Sequence, residues 1–220
     1  MPPLVRSLLK ILAWLGFFVG TVLIVSNSYI DFRPGGENIF ISQRDPATVG
    51  PLWKFSLRTH VLAGCVCLIA SLPQFSKTLL RRFPSFHQIC GRIYAIGILL
   101  IVSPTGIHLA FFAKGGLVGQ SGFLLLGIAT FLTTLLGITT IRNGDRAAHR
   151  RWMIRSFALV ATAVSFRIYH LLFFYAGISI EANYVVSLWL SILGNAAVAE
   201  LILKHRKSSL TNPAPIPMTP

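Results

Sequence analysis

The chain has 220 residues, 54% hydrophobic and 12% charged, with 20 Lys+Arg against 6 Asp+Glu and a formal charge of +14. A soluble domain of this size carries about 25% charged residues. Here the apolar residues come in long unbroken blocks, which excludes a soluble enzyme and predicts an integral membrane protein. The basic residues lie at the ends of those blocks, so the charge does not point to nucleic acid.

Six blocks reach the roughly 20 apolar residues that a bilayer crossing needs: near 8–29, 55–76, 88–113, 121–141, 150–176 and 183–203. The expected fold is therefore all-α, a polytopic six-transmembrane-helix bundle in one domain over residues 1–207. The Pro-rich stretch 208–220 is expected to be a disordered cytoplasmic tail. The first block is too long for a signal peptide and lacks a small-residue cleavage site.

With the N-terminus inside, the inner segments hold Arg6, Lys10, Lys77, Arg81, Arg82, Arg92, Arg142, Arg146, Arg150, Arg151, Arg155, Lys204, Arg206 and Lys207. The outer ones hold Arg33, Arg44, Lys54, Arg58 and Lys114, diluted by Asp31, Glu37, Asp45 and Glu181. That is the positive-inside bias, and it predicts both termini cytoplasmic in a multi-pass protein of the cell (inner or plasma) membrane. The inner loops suit anionic headgroups. Residues 30–54 form the long outer loop, placed to fold over the outer mouth of the bundle. Cys65 and Cys67, two apart on a helix, face nearly opposite sides and share no metal. With Cys90 near the reducing side, no disulfide is expected.

The third and fifth spans resemble one another. One opens "HQICGRIY" and closes "IHLAFF"; the other opens "HRRWMIRS" and closes "YHLLFF". His87 and His108 are 21 positions apart, as are His149 and His170. This reads as a parallel duplication of two-helix units, spans 3–4 and 5–6. Twenty-one residues rise about 31 Å, close to the hydrocarbon thickness. His87 and His149 therefore mark the inner boundary, and His108 and His170 the outer one. His60, on the second span, joins the outer group.

Imidazoles facing one another across a bundle are a common way to hold haem b by two axial ligands. Histidines at bilayer boundaries also serve as interfacial or helix-bridging side chains. Arg167, about ten residues from the outer end of its span, is costly in lipid unless paired, hydrated or turned inward. No carboxylate lies at its depth on another span. Its partner would be a propionate, a substrate anion, carbonyls, or Asp31 or Glu181 folding back. Glu200, the only acid inside a span, is expected to pair with Arg155 or Arg92, with Asn195 adding hydrogen bonds. Pro104 should kink the third span. Gly91, Gly97, Gly106, Ala158, Ala161 and Ala163 permit close helix approach. The phenylalanines and boundary tryptophans are expected to face lipid or the interface.

The stretches "HVLAG", "LPQF", "LLRRFPSFH", "HQICGRIY", "RNGDRAAHRRWMIRS", "SFRIY" and "GNAAVAE", over residues 57–201, resemble the membrane family known as domain of unknown function 2306. The resemblance implies a core of His60, Gln74, His87, Gly91, Arg92, Tyr94, His149, Trp152, Arg155, Arg167, Asn195 and Glu200. It leaves His108 and His170 outside that core, and it implies the membrane architecture without a reaction.

The leading expectation is a b-cytochrome-like transmembrane electron-transfer component. His87 and His149 would ligate an inner haem, and His60 with His108 or His170 would serve an outer haem or quinone. Arg92, Arg155 and Arg167 would neutralise propionates, and a quinol or redox protein would be the partner. The competing expectations are a small-solute or proton-coupled transporter using Arg167, His60, Glu200 and Arg155, and an accessory scaffold whose Gln74, Asn195 and Glu200 only lock helices together.

Overall fold

The computed structural model describes residues 3–32 and 49–211, and no strand occurs among them. The helices are α1 (Pro3–Phe32), α2 (Pro51–Ser71), the short α3 (Lys77–Arg82), α4 (Pro84–Ala110), α5 (Gly116–Arg142), α6 (Arg146–Tyr175) and α7 (Ile180–Thr211). Five segments are long and apolar enough to cross a membrane: Pro51–Phe75, Pro84–Ala110, Gly116–Arg142, Arg146–Tyr175 and Ile180–His205. In α1, a helix of 30 residues, the apolar stretch described with its side chains is Trp14–Ser26.

The helix ends depart from the sequence expectation for local reasons. Pro51 and Pro84 sit in the first turns of α2 and α4. Proline is tolerated there because the first helical N–H groups lack intrahelical partners, so both helices start about four residues early and residues 51–54 leave the expected loop. Pro73 cannot donate an N–H, and the end of α2 tightens into a 3₁₀ turn over Leu72–Phe75. Asp145 caps α6, its carboxylate accepting from Ala148 N–H at 2.8 Å, which brings that start forward to Arg146. The α7 helix runs on through Thr211. The remainder of the tail, 212–220, lies outside the described residues, as do residues 33–48 of the outer loop.

Both α4 and α6 are interrupted. In α4 a π turn spans Gly97–Val102, where Ser103 N–H reaches back five residues to Ile98 O, and Pro104 follows. In α6 the break falls at Ala161.

The interior mixes apolar side chains with many small polar ones. Thr21, Ser56, Ser71, Ser103, Thr130, Thr134, Ser156, Thr162, Asn183, Ser187 and Ser191 are buried, whereas Leu100, Leu117, Leu172 and Ile180 are among many exposed apolar side chains. Apolar outside and small-polar inside is how helices associate when the solvent is lipid. The most extensive packing is between α2 and α4, and α1 lies against α2 and α6. At Gly97 an added Cβ would stand 2.5 Å from Cys67 Sγ, so α2 and α4 meet there because that position has no side chain.

The aromatic residues correct the expectation that they only face lipid. Trp14, Phe17, Phe75 and Phe157 cluster, with centroids 4.6 Å apart for Phe75–Phe157 and 5.0 Å for Phe17–Phe157. This cluster docks α1 onto the end of α2 and onto α6. Trp53 is buried. Cys65 and Cys67 do point apart, toward Ser28 of α1 and the Tyr94 carbonyl of α4 respectively, and all three cysteines are free.

Candidate functional site

His60 reaches across from α2 to the irregular turn of α4. Its Nδ1 lies 2.9 Å from Val102 O and 3.2 Å from Thr105 Oγ1. A carbonyl can only accept, so the neutral ring carries its proton on Nδ1 and leaves Nε2 a free lone pair. The ring packs flat against Gly106, where an added Cβ would be 2.9 Å from its Cε1. The kink foreseen at Pro104 is thus where the helix receives a histidine from its neighbour.

His60 lines a cavity of about 1240 Å³ at the end of the bundle that also holds Lys114 and Glu181. Its walls are mainly apolar, with Leu57, Leu68, Ile98, Leu126 and Val160 among them, and its polar members include Ser103, Thr130, Arg167, His170 and Tyr184. Large, mostly apolar cavities with few polar groups are the usual form of a small-molecule site.

His170 stands on an aromatic wall. Phe166, one turn earlier on α6, stacks on its ring at 5.7 Å and 11°. Tyr184 meets Phe166 at 5.5 Å, Phe123 at 6.0 Å and His170 at 6.3 Å. Behind it, buried Asn183 of α7 donates to His170 O at 3.0 Å and accepts from Ser187 Oγ at 2.9 Å, pinning the backbone there. Arg167 Nη1 donates to Ala163 O at 2.8 Å on its own helix, and its guanidinium lies within electrostatic range of His60. Ala163 O is a carbonyl partner of the kind foreseen for it. His108 is set apart: its neighbours Gly106, Leu109 and Ala110 line the cavity but it does not, and its ring contacts Phe112 at 5.4 Å.

Two buried atoms of this cavity have no hydrogen-bond partner among the described residues, Ser103 Oγ and His170 Nδ1. Elsewhere the hydroxyls of Thr21, Ser28, Ser71, Thr130, Thr134 and Ser191 donate to a carbonyl three or four residues back. Ser103, 2% exposed, is a departure from that habit.

At the opposite end, His149 Nδ1 donates to Gly137 O at 2.7 Å, so its Nε2 is likewise free. His87 lies within electrostatic range of His149. Its Nδ1 is buried without a partner among the described residues, and its carbonyl accepts from Gln74 Nε2 at 3.2 Å. Neither histidine lines the cavity, and Arg92 is exposed. Among the described residues no group of three or more His, Cys, Asp or Glu converges in a way that could hold a metal ion.

Between the two ends lies a closed hydroxyl chain. Tyr94 Oη meets Ser156 Oγ at 2.8 Å, Ser156 meets Thr134 Oγ1 at 2.7 Å, and Thr134 donates to Thr130 O at 2.8 Å. With Thr134 donating onward, Ser156 must donate to Thr134 and Tyr94 to Ser156, so each O–H is used. Arg155 makes the foreseen pair with Glu200, through Nε at 2.6 Å and Nη2 at 3.0 Å, and covers the Trp152 ring at 4.8 Å. The pair is not buried, with side chains 29% and 58% exposed. Asn195 Nδ2 bonds Ala158 O at 3.1 Å and Ser165 Oγ at 2.9 Å, tying α7 to the break in α6.

The sequence reading missed Ser103, Phe123, Phe166 and Tyr184. Phe166 was findable, four residues before His170 and hence on the same helix face. A serine directly before Pro104 marked the irregular turn. Nothing in the sequence placed Tyr184 opposite them.

A family model described as a predicted membrane protein, DUF2306, matches residues 57–203. No curated protein and no solved structure matches the chain.

Proposed function

Because the chain belongs to the DUF2306 family of predicted membrane proteins, whose description gives a location and no reaction, we propose its function from the cavity: it binds an amphiphile within the bundle, apolar body inward and polar head toward His60, Arg167 and His170. One observation carries this reading. Three polar side chains from α2 and α6 converge on a single apolar cavity of about 1240 Å³ instead of scattering over the lipid face. The proposed setting is a six-span bundle in the cell membrane, with α1 as the sixth span and both termini cytoplasmic. The positive-inside charge distribution and the docking of α1 through Trp14 and Phe17 support it.

The test uses Gly64, which lines the cavity and where an added Cβ meets nothing within 4 Å. Gly64→Leu should put a side chain into the cavity and obstruct its occupant without disturbing the packing. Native mass spectrometry of detergent-purified protein should show a retained amphiphile that is lost in Gly64→Leu at unchanged yield. A wild-type protein that retains no such molecule, and gains no thermal stability from any added amphiphile, would sink the reading.

A second reading, haem b with an electron-transfer role, is favoured by the state of two imidazoles. An iron-ligating histidine nearly always donates its other ring N–H to a carbonyl or carboxylate, and His60 and His149 do so. His170 and His87, the rings that would complete an outer and an inner pair, lack that second bond. Each pair thus supplies half of the ligand arrangement, and an exogenous amphiphile fits the cavity better. Dithionite-reduced minus oxidised spectra decide: a haem band that vanishes in His60→Ala or His149→Ala would replace the first reading with the second.

A further inference from the structure

The unpartnered atoms of the cavity narrow the class of its occupant. Burying a hydroxyl or a ring nitrogen without a hydrogen bond is unfavourable; outside the cavity the ring nitrogens of His87 and His108 are also left so, but no other buried hydroxyl among the described residues is. Ser103 has a helical carbonyl within the reach of any serine, yet its Oγ takes none. His170 Nδ1 is in the same state on a different helix, and both residues line one wall or another of the same space. A bound molecule that satisfies both must present two hydrogen-bonding atoms. Beside His170 stand Phe123, Phe166 and Tyr184, which suit a flat ring better than a flexible chain. The remaining apolar volume toward Leu57, Leu68, Ile98 and Val160 exceeds what a single ring occupies and suits a hydrocarbon tail.

We propose that the cavity is a quinone/quinol binding site, in which Ser103 Oγ and His170 Nδ1 hydrogen-bond the two ring oxygens, the aromatic wall flanks the ring, and the isoprenoid or alkyl tail fills the apolar floor. This rests on the amphiphile-binding reading and names its ligand. A quinone is neutral, so Arg167 need not pair with it and keeps its bond to Ala163 O. A fatty acid would instead place its one carboxylate against Arg167 or Lys114 and leave Ser103 Oγ unsatisfied.

The experiment titrates purified full-length protein in detergent with decyl-ubiquinone, its quinol and dodecanoate. Quenching of Trp53, buried on the cavity wall, and thermal shift are the readouts. Ser103→Ala removes a hydroxyl that bonds nothing among the described residues, so folding is kept. It should weaken decyl-ubiquinone by about threefold to tenfold, the worth of one neutral hydrogen bond. His170→Phe keeps the ring stack on Phe166 and should weaken it by about as much or more. Ser103→Ala should leave dodecanoate unchanged, whereas His170→Phe, which alters the head-group end of the cavity, should weaken both ligands. Decyl-ubiquinone binding that is the same in wild type and both variants overturns the proposed pose. Dodecanoate binding that Gly64→Leu abolishes, with no quinone binding, overturns the quinone assignment but keeps the amphiphile site. Binding of neither removes the amphiphile reading itself.

Discussion

Two regions of this bundle treat buried hydroxyls in opposite ways. Around Tyr94, Ser156 and Thr134 every hydroxyl proton has an acceptor and the chain ends on a backbone carbonyl. Around His60 and His170 the polar atoms line open volume, and two of them bond nothing among the described residues. A satisfied network fixes helices in place. An unsatisfied one, in a protein whose other buried hydroxyls have partners among the described residues, is the observation on which the proposed ligand site rests. The two buried serines Ser156 and Ser103 are alike in burial and unlike in role.

That contrast can be broken by substitution. The largest effect is expected from Gly106→Ala, which drives a methyl to within 2.9 Å of the His60 ring. Overpacking of this kind costs about 1–3 kcal/mol, and the ring should leave Val102 O. Thermal unfolding should fall by several degrees and amphiphile retention should drop with it. Retention at the wild-type level would detach His60 from the site.

Ser156→Ala comes next. It strands the Tyr94 O–H and removes the donor to Thr134, which costs about 1–2 kcal/mol. The loss should be read as a lower unfolding midpoint with ligand binding intact. Tyr94→Phe paired with Ser156→Ala should recover part of it, because the stranded donor is gone. A double variant no better than the single one would mean that the chain is not a coupled unit.

Glu200→Gln should be milder. The Arg155–Glu200 pair is bidentate but substantially exposed, and such pairs contribute up to about 1 kcal/mol. A salt titration of the unfolding midpoint checks it: the difference between wild type and variant should shrink as ionic strength rises. A loss of several kcal/mol would mean that lipid or a partner buries the pair. Smallest of all, Ser103→Ala should leave the unfolding midpoint of the ligand-free protein within about 0.5 kcal/mol of wild type, or raise it slightly, since no protein hydrogen bond is lost. A clear destabilisation would reveal a partner for that hydroxyl and merge the two regions into one.

The sequence was informative about what lies along one helix and poor about what lies between helices. Block lengths and charge placement foretold the membrane bundle, and the 21-residue spacing put His108 and His170 at one end and His87 and His149 at the other, with His60 joining the first pair by its place on the second span. Glu200 pairs with Arg155 because these are near-level charges on adjacent helices. The sequence could not tell that His170 turns into the cavity while His108, its counterpart in the repeat, turns toward Phe112. That choice depends on helix rotation, which a uniformly apolar alphabet does not encode. The interruption at Gly97–Val102 was legible only as Pro104, since the extra residue of a π turn leaves no distinctive composition. The buried Trp53 and the cluster of Trp14 with Phe75 and Phe157 escaped for the same reason: in lipid, a greasy side chain has no preferred direction until its neighbours are known.

The extra residue in α4 has a consequence for sequence change. One π turn holds one more amino acid than the α-helix it interrupts, so deleting a single residue between Gly97 and Val102 would restore regular pitch and rotate everything beyond by about 100°. Ser103 and Gly106 would swing away from the space they now border, while the span itself would stay long enough for the membrane. A one-codon deletion there would yield a protein that inserts normally and has lost its pocket.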